Sequence, residues 1–350
     1  MKPTYQLSIG LLRATDAEPV GGPTTLTVDR AVDVPLDIAR IRFCTRHDIS
    51  LGANLTLRLG LGAAPVDTFT GTVAEVRTTL TGTSVLATGT MRNLMELRVA
   101  AAYSDVTVGT VARDLATRAG LAPADVHEGP LLPRFAVDVF RSGHEHLADL
   151  AHSFGLDLYA DRQGRLVLRA LPGGTPSLTG TAGAAAAGLA GPAAARYGAD
   201  ILTARGTRRP PSYDVVTVGG ESPASTRGAT AASWLTTDDQ VARADAGSGA
   251  GSGSRRGLLL APLARTRDLA HDIAEGQLRR ASRSTNLVEV TVPGRPDLDL
   301  GDTLAVAAMP SDAPGGSGQV RALRHHLSAD GGFTTTVRLA LPTVAPEVRP

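Results

Sequence analysis

The chain has 350 residues, of which 42% are hydrophobic, so it can bury a substantial core and an intrinsically disordered protein is excluded. Lysine and arginine total 35 against 34 acidic residues, and the net charge of +1 predicts no global attraction to nucleic acid or anionic lipid. Aromatic residues make up only 3% of the chain, which is too few for dense stacking platforms for single-stranded nucleic acid.

The amino-terminal sequence is polar and extended rather than a signal peptide, and no stretch approaches the roughly 18 apolar residues that a membrane span needs. We therefore expect synthesis in the cytoplasm, with release only on lysis or as part of a particle. Cys44 is the only cysteine, which excludes an intramolecular disulfide and a thiolate metal cluster. We expect its side chain to be a small buried hydrophobic group.

Between Thr24 and about Leu97, hydrophobic and polar residues alternate, which is typical of half-buried strands. The alternating segments are Thr25–Val28, Ile38–Cys44, Leu55–Leu59, Phe69–Val76 and Ser84–Thr90. So many short antiparallel strands favour a barrel over an open sheet, because closure removes exposed strand edges. Residues 1–100 are therefore predicted to form a first β-barrel domain.

The hydrophobic period changes after Tyr103 and predicts a helix-and-hairpin module. One amphipathic helix is expected from Val108 to Arg118, with Asp105 or Thr107 as its cap. A second helix is expected from Ser142 to a glycine stop at Gly155. The hairpin Leu156–Arg169 follows, and the module is the core of a predicted α/β domain over residues 101–200.

Two stretches of small residues, Thr181–Ala195 and Gly219–Gly257, contain little apolar surface to offset the entropy of ordering them. Both are predicted to be flexible inserts, and the first of them ends the α/β domain. Trp234 lies in the second insert, where we expect it to make a satellite contact with a neighbouring domain.

Strand patterns return in the last part of the chain and predict a second β-barrel domain over residues 201–350. Its strands are expected at Ser212–Val218, Asn286–Val292, Asp302–Ala307, Gly318–Arg324 and Phe333–Ala340. A flexible and helical insertion at about 219–283, with a helix from about Arg265 to Ser282, interrupts it. The fold class is thus mixed but mainly β, with two antiparallel barrels and α/β insertions.

No segment completes a catalytic, cofactor-binding or metal-binding motif. His144-Glu145-His146 fails the zinc-protease spacing because residue 148 is alanine, and His152 adds no third ligand. His325-His326 is expected on the barrel surface, in a strand where adjacent side chains point to opposite faces and cannot easily share a metal. The glycines between Gly249 and Gly253 lie in a low-complexity insert, and the phosphate-loop and nucleophile-elbow motifs do not occur. We predict no site residues, no cofactor and no enzymatic activity.

Paired acids and short basic clusters are interpreted as surface features. Asp238-Asp239 and the pair Asp297 and Asp299 are read as turn residues, since no partner set for glycosidase chemistry is evident. The basic clusters are short and flanked by acids or glycine, which indicates a solvated or interface surface rather than a specific nucleic-acid site. These clusters are Arg205–Arg209, Arg255-Arg256 and Arg279-Arg280.

The order of these segments resembles the baseplate hub family of contractile tails, which includes the late control D proteins and the front part of VgrG. The matching phrases are Gly71–Val76 with Val85–Thr88, Tyr103-x-Asp105-x-Thr107, Phe154-Gly155, Val290–Leu304, Gly318-Gln-Val320 and His325-His326. The most specific of them is Gly294-x-Pro296-x-Leu298-x-Leu300-Gly301, in which both leucines are expected on one face. The resemblance runs from about Thr24 to Leu341, and the two inserts depart from it.

The resemblance implies a structural homotrimer in which two barrels per chain build a ring of six. Such a ring adapts a sixfold tail tube on one side to a trimeric spike on the other, with baseplate wedge proteins as further partners. Nothing after Leu341 resembles an oligosaccharide-fold domain or a β-helical needle, so a separate spike protein is expected. The resemblance covers phage tails and phage-tail-like injection systems alike.

Two other functional classes stay open from the residues alone. A hub-derived cell-wall hydrolase needs a catalytic set that is not evident in the sequence. A β-rich receptor or carbohydrate-binding protein needs an exposed aromatic platform, which six Phe, five Tyr and one Trp hardly supply.

Overall fold

The computed structural model describes residues 2–17, 21–62, 64–170, 193–220, 243–247, 255–283, 285–310 and 315–341. Within these ranges the chain is mainly β, and most strand pairs are antiparallel, as the sequence predicts. None of the helices in these ranges is both long and apolar enough to cross a membrane.

The elements follow the chain in three groups. The first group is β1 (Pro3–Ile9), β2 (Leu12–Thr15), β3 (Pro23–Ala31), β4 (Ile38–Phe43), β5 (Asn54–Leu61), β6 (Val66–Thr78) and β7 (Thr83–Gly89). The second group is α1 (Met91–Glu96), β8 (Ala101–Thr107), α2 (Val108–Arg118), β9 (Pro123–Val126), β10 (Leu131–Val137), α3 (Gly143–Phe154), β11 (Asp157–Ala160) and β12 (Leu166–Arg169). The third group is β13 (Ala193–Arg196), β14 (Thr203–Arg208), β15 (Val215–Gly219), β16 (Arg243–Gly247), β17 (Arg256–Leu260), α4 (Arg267–Arg283), β18 (Asn286–Pro293), β19 (Thr303–Ala307), β20 (Gly316–Ser328) and β21 (Gly332–Ala340).

One 13-stranded sheet contains most strands of both predicted β units, in the order β14-β18-β21-β20-β3-β4-β7-β6-β5-β1-β2, with β13 and β19 attached beside β20. The strand predicted at Ser212–Val218 is not part of it, because β15 pairs with β16 and β17 in a separate sheet. The two units meet at a seam, where residues 322–328 of β20 pair with β3 while residues 316–319 pair with β19. These 13 strands therefore form one continuous sheet, in which the described strand pairs do not divide into two separately closed barrels. Main-chain hydrogen bonds run directly from one unit into the other.

Period-two alternation gives each β unit its own apolar core. In the first unit, Leu55, Leu57 and Leu59 lie on one face of β5, each at 1% exposure or less. This first β core gathers residues from β1 to β7. In the second unit, Leu298 and Leu300 lie between β18 and β19 and both point into the second β core, as expected for two leucines that face the same side. At Gly294, a Cβ would lie 2.1 Å from the ring of Phe333, a β21 residue that packs in the first β core.

The helices share a third core with the small sheet β16-β15-β17. The predicted caps of α3 are present: Ser142 and Glu145 form a capping box, and Gly155 ends the helix with φ of 64°. Thr107, not Asp105, caps α2. α3 and α4 approach closely at Gly276, where a Cβ would lie 2.5 Å from the Phe154 carbonyl carbon.

The prediction that both inserts are flexible is wrong for the parts that the structure describes. Residues 243–247 of the second insert form β16, which pairs with β15 and contacts α4. Residues 193–195 of the first insert belong to β13, which pairs with β19. Residues 171–192, 221–242, 248–254 and 342–350 lie outside the described residues, and they include Trp234, Asp238-Asp239 and Gly249–Gly253.

Cys44 is exposed, so its predicted burial is wrong. The reason is the alternation of β4, which places Phe43 in the first β core at 2% exposure. Because successive side chains of an extended segment point to opposite faces, the next residue, Cys44, faces solvent.

Candidate functional site: a buried charged junction

Two ion-pair clusters lie where both β units meet the helix-and-hairpin module. The Arg30 cluster consists of Arg30, Asp37, Arg162 and Asp299. The Asp157 cluster consists of Asp157, Arg283, Arg321 and Asp33. Together these eight residues are called the junction. Each cluster contains two arginines and two aspartates, so the formal charges balance within each cluster.

Arg30 is the centre of the first cluster, and its side chain is only 2% exposed. Its Nε donates to Asp37 Oδ2 at 3.0 Å, its Nη1 to Asp299 Oδ1 at 2.6 Å, and its Nη2 to the Ala160 carbonyl at 2.8 Å. Arg162 Nε donates to the other oxygen of Asp299 at 3.0 Å. One guanidinium thus ties the first β unit to the second unit and to the β11–β12 hairpin.

Burial and charge act in opposite directions on these groups. Burial raises the pKa of the Asp299 carboxyl, but the guanidinium groups of Arg30 and Arg162 outweigh burial and hold it below its ordinary value. At Asp37, burial dominates and raises the pKa despite Arg30. Burial lowers the pKa of Arg30, yet the carboxylates of Asp37 and Asp299 raise it above its ordinary value. Arg30 therefore stays charged, and its carboxylate partners keep it so.

Asp157 is the centre of the second cluster, and its side chain is 2% exposed. Arg321 donates to both of its carboxylate oxygens, at 2.7 and 3.0 Å, in the bidentate geometry that favours a fixed orientation. Arg283, near the end of α4, donates to Asp157 Oδ2 at 2.9 Å. Arg321 also donates to Asp33 Oδ1 at 2.8 Å, so β20, α4, β11 and the loop after β3 meet here.

Buried charges are costly unless they are paired and hydrogen-bonded, and the junction meets both conditions. Charge pairs of this kind hold a specific geometry because their hydrogen bonds are directional, whereas apolar contacts are not. The junction therefore ties the helical module to the sheet and adds directional contacts between the two β units, which β3 and β20 already join. What it can do chemically is hold these elements in a defined geometry.

The sequence interpretation missed the junction. Asp299 was predicted to be a turn residue, and it does lie between β18 and β19, but its ion pairs with Arg30 and Arg162 were not foreseen. A signal was present: Arg30 has the same strand phase as the buried Leu26 and Val28. An arginine in phase with core residues indicates a buried charge that needs partners.

His325 is 1% exposed, so the predicted surface role for the His325-His326 pair is wrong for this residue. Its Nδ1 lies 3.0 Å from Thr335 Oγ1, and burial together with the charges of Arg30 and Arg162 lowers its pKa to about 3. His326 points to the other face, with Nδ1 2.9 Å from Thr27 Oγ1. The two imidazoles are thus separated, as the strand geometry predicts.

The three histidines of α3 also diverge. His146 is buried, and its Nε2 lies 3.3 Å from the Asp138 backbone. His144 and His152 line a small cavity of about 180 Å³ beside Arg280. Burial lowers the pKa of both His144 and His152. In the described part of the chain, no group of three His, Cys, Asp or Glu side chains is placed to hold a metal ion.

Each of the three basic clusters has an acidic neighbour. Arg205 binds Glu289 across β14 and β18, Arg255 lies 3.6 Å from Asp214, and Arg279 lies 3.3 Å from Glu275. Each cluster therefore has a local acidic partner, as expected for a solvated or interface surface.

No protein-family model matches the sequence, and no curated protein matches it. Among solved structures, the chain is similar to the 43 kDa tail protein of prophage MuSo2 from Shewanella oneidensis. The two are 15% identical, with a TM-score of 0.70 over 97% of this chain and 99% of that one. A tail protein from Neisseria meningitidis is 14% identical, with a TM-score of 0.70 over 97% of both chains.

A more distant similarity extends to a secretion component. An Escherichia coli protein, described as part of the type VI secretion system and structurally similar to bacteriophage T4 tail proteins, is 12% identical. It matches with a TM-score of 0.57 over 97% of this chain and 77% of that chain. At these identities the likeness shows the fold alone. The chain therefore has the fold of phage tail proteins, and this confirms the fold that the resemblance implies.

Proposed function

We propose that the protein is a structural, non-enzymatic baseplate hub of a contractile tail or a contractile injection particle. The observation that carries the proposal is the end-to-end likeness to two tail proteins, in which nearly the whole of each chain is matched. The likeness to a type VI secretion component is the reason for including injection particles. Synthesis in the cytoplasm and assembly into the particle follow from this role.

In the particle, the chain acts as a homotrimer that adapts a sixfold tail tube to a separate trimeric spike. Two β units in each chain, copied by a threefold axis, supply six similar units around one centre. Baseplate wedge proteins bind around the ring. The charged junction supports this role, because an adaptor under load needs its two β units held at a fixed mutual orientation.

The test has two parts that use the full chain. Sedimentation of the purified protein should give about three times the 36.0 kDa of one chain. Affinity capture of a tagged copy from the producing cell, with mass spectrometry and negative-stain microscopy, should recover tube, sheath and spike subunits in contractile particles. A monomer that degrades cell wall in a zymogram, or that binds a glycan array, contradicts the proposal.

A further inference from the structure

A groove of about 480 Å³ crosses the main sheet at the seam between β3 and β20. Its charged residues come from six different strands, which makes it a feature of the assembled sheet rather than of one segment. We call it the seam groove, and besides the buried Arg30 its charged members are Asp29, Arg40, Arg205, Glu289, Arg324 and Arg338.

Each acid in the seam groove lies between two arginines. Asp29 accepts from Arg40 at 2.6 Å and from Arg324 at 2.5 Å. Glu289 accepts from Arg205 at 2.7 Å and from Arg338 at 3.2 Å. The acids are 25% and 27% exposed, whereas the arginines are 53% to 73% exposed. The arginines therefore cover the acids, and the groove presents guanidinium groups to its surroundings.

The groove concentrates positive charge on a chain that is nearly neutral overall. Apart from Arg30, whose charge is balanced within the junction, four arginines against two acids leave a formal charge of +2 in the groove, whereas the whole chain carries +1. A guanidinium has five N–H donors, and the contacts above use one in each arginine. Donors remain for carboxylates of an incoming ligand, which arginine binds in a planar, bidentate geometry.

The rest of the lining favours a protein ligand over nucleic acid. Val34, Leu36 and Ile38 line the same groove, and Val34 is 50% exposed, so aliphatic side chains of a ligand find apolar contacts. Asp29 and Glu289 interrupt the row of arginines and would repel a continuous phosphate backbone. The described lining residues include no aromatic ring on which a base could stack.

We infer that the seam groove is the docking surface for an acidic segment of a neighbouring protein, with carboxylates spaced between aliphatic residues. The inference rests on the proposed function, because it assigns the neighbour to the same particle. Docking at the seam also engages both β units at once, so a partner bound there contacts the region whose orientation the junction fixes.

The test measures fluorescence anisotropy of a labelled peptide of alternating glutamate and leucine, titrated with the full-length protein at low salt. R324Q/R338Q should weaken binding about tenfold or more, because two charge-assisted contacts are removed. R324K/R338K keeps the charge and should bind more tightly than the glutamine variant. R58Q/R92Q removes two exposed arginines elsewhere and should bind like the wild type. Circular dichroism verifies that each variant is folded.

Three outcomes overturn the inference: equal binding of the glutamate peptide and its glutamine counterpart, unchanged binding by R324Q/R338Q, or tighter binding of oligothymidylate than of the acidic peptide. Because the peptide is titrated into the isolated chain, these outcomes do not depend on particle assembly. A trimer that co-purifies with tail subunits but fails the peptide test rejects the seam groove alone. A chain that binds the peptide but never enters a particle rejects the hub role.

Discussion

The first β core and the centres of the junction are both buried, but the first is apolar and the second is charged. The first β core consists of apolar side chains such as Leu57 and Phe43, each exposed by 2% or less. The junction consists of arginines and aspartates centred on Arg30 and Asp157. Apolar burial stabilises a unit without specifying direction, whereas paired ions add directional contacts. The difference indicates that the apolar cores stabilise each β unit, whereas the ion pairs set how the helical module is oriented against the sheet.

The largest effect is expected from Asp157→Ala, which leaves Arg321 and Arg283 without their shared carboxylate. Breaking a buried ion pair from one side costs about 3–5 kcal/mol in the free energy of unfolding. Urea unfolding at neutral pH measures this loss. Asp125→Ala is the matched control, since Asp125 also binds an arginine but is 55% exposed. We expect Asp125→Ala to lower the free energy of unfolding by about 1 kcal/mol or less. A similar loss in both variants would contradict the distinction between buried and exposed ion pairs.

Leu57→Ala tests how much the first β core contributes to stability. The side chain is 1% exposed, and its truncation is expected to lower the free energy of unfolding by about 2–5 kcal/mol through lost burial and a cavity. Leu51→Ala, at a site that is 68% exposed, should change it by about 0.5 kcal/mol or less. Denaturant unfolding of the pair gives both values. Equal effects would mean that the first β core is not the source of stability in this unit.

His325 is buried, and the charges of Arg30 and Arg162 in the junction act on it. Its titration therefore tests how the junction affects a neighbouring buried side chain. Its pKa is lowered from 6.5 to about 3, so the unfolded chain binds a proton that the folded chain does not. The stability that depends on His325 is therefore complete above pH 6.5 and is lost as the pH falls towards 3, by about 1.4 kcal/mol per pH unit.

The variant His325→Gln should show a flatter decline of stability below pH 6.5 than the wild type, because it removes this titration. Unfolding measured at several pH values gives the two slopes, and other acidic groups contribute equally to both. His271→Gln, at a side chain that is 52% exposed, should keep the wild-type slope. Identical slopes for His325→Gln and the wild type would show that His325 does not titrate in this range.

The smallest change in stability is expected when the Asp157 cluster is made apolar as a whole. Replacing Asp157 by Leu and both Arg283 and Arg321 by Met exchanges ions for packed side chains of similar size, which is often neutral or stabilising. We expect the free energy of unfolding to stay within about 2 kcal/mol of the wild type or to rise. Small-angle scattering should then show a changed position of the helical module against the sheet. An unchanged scattering curve would mean that the ions do not set orientation.

Local patterns in the sequence were sufficient for much of the fold. Alternation predicts strands at Leu55–Leu59 and Phe333–Ala340, and capping residues predict α3 from Ser142 to Gly155. These features depend on neighbours within a few residues, so a single sequence contains the information. The exposure of Cys44 was also available from the strand phase of Phe43, although composition suggested burial.

The seam and the junction depend on contacts that no local pattern contains. β3 pairs with β20 through residues such as Asp29 and Arg324, which are 295 positions apart. Arg30 reaches Asp299 across 269 positions. Arg30 is on the same face of β3 as the buried Leu26 and Val28, which predicts that it needs an acidic partner in the interior. The sequence does not show which aspartate or glutamate is that partner. Strands such as β16 also lie in sequence too rich in alanine and glycine to show a clear period.

The most direct test of the hub role is electron cryomicroscopy of particles from producing cells, with the chain located by a small fused tag. The account predicts three copies in one ring at the end of the tail tube, between the tube and a separate spike, with both β units of each copy facing the tube. Complete particles in which the chain is absent from this position, or is present in another number of copies, would contradict it.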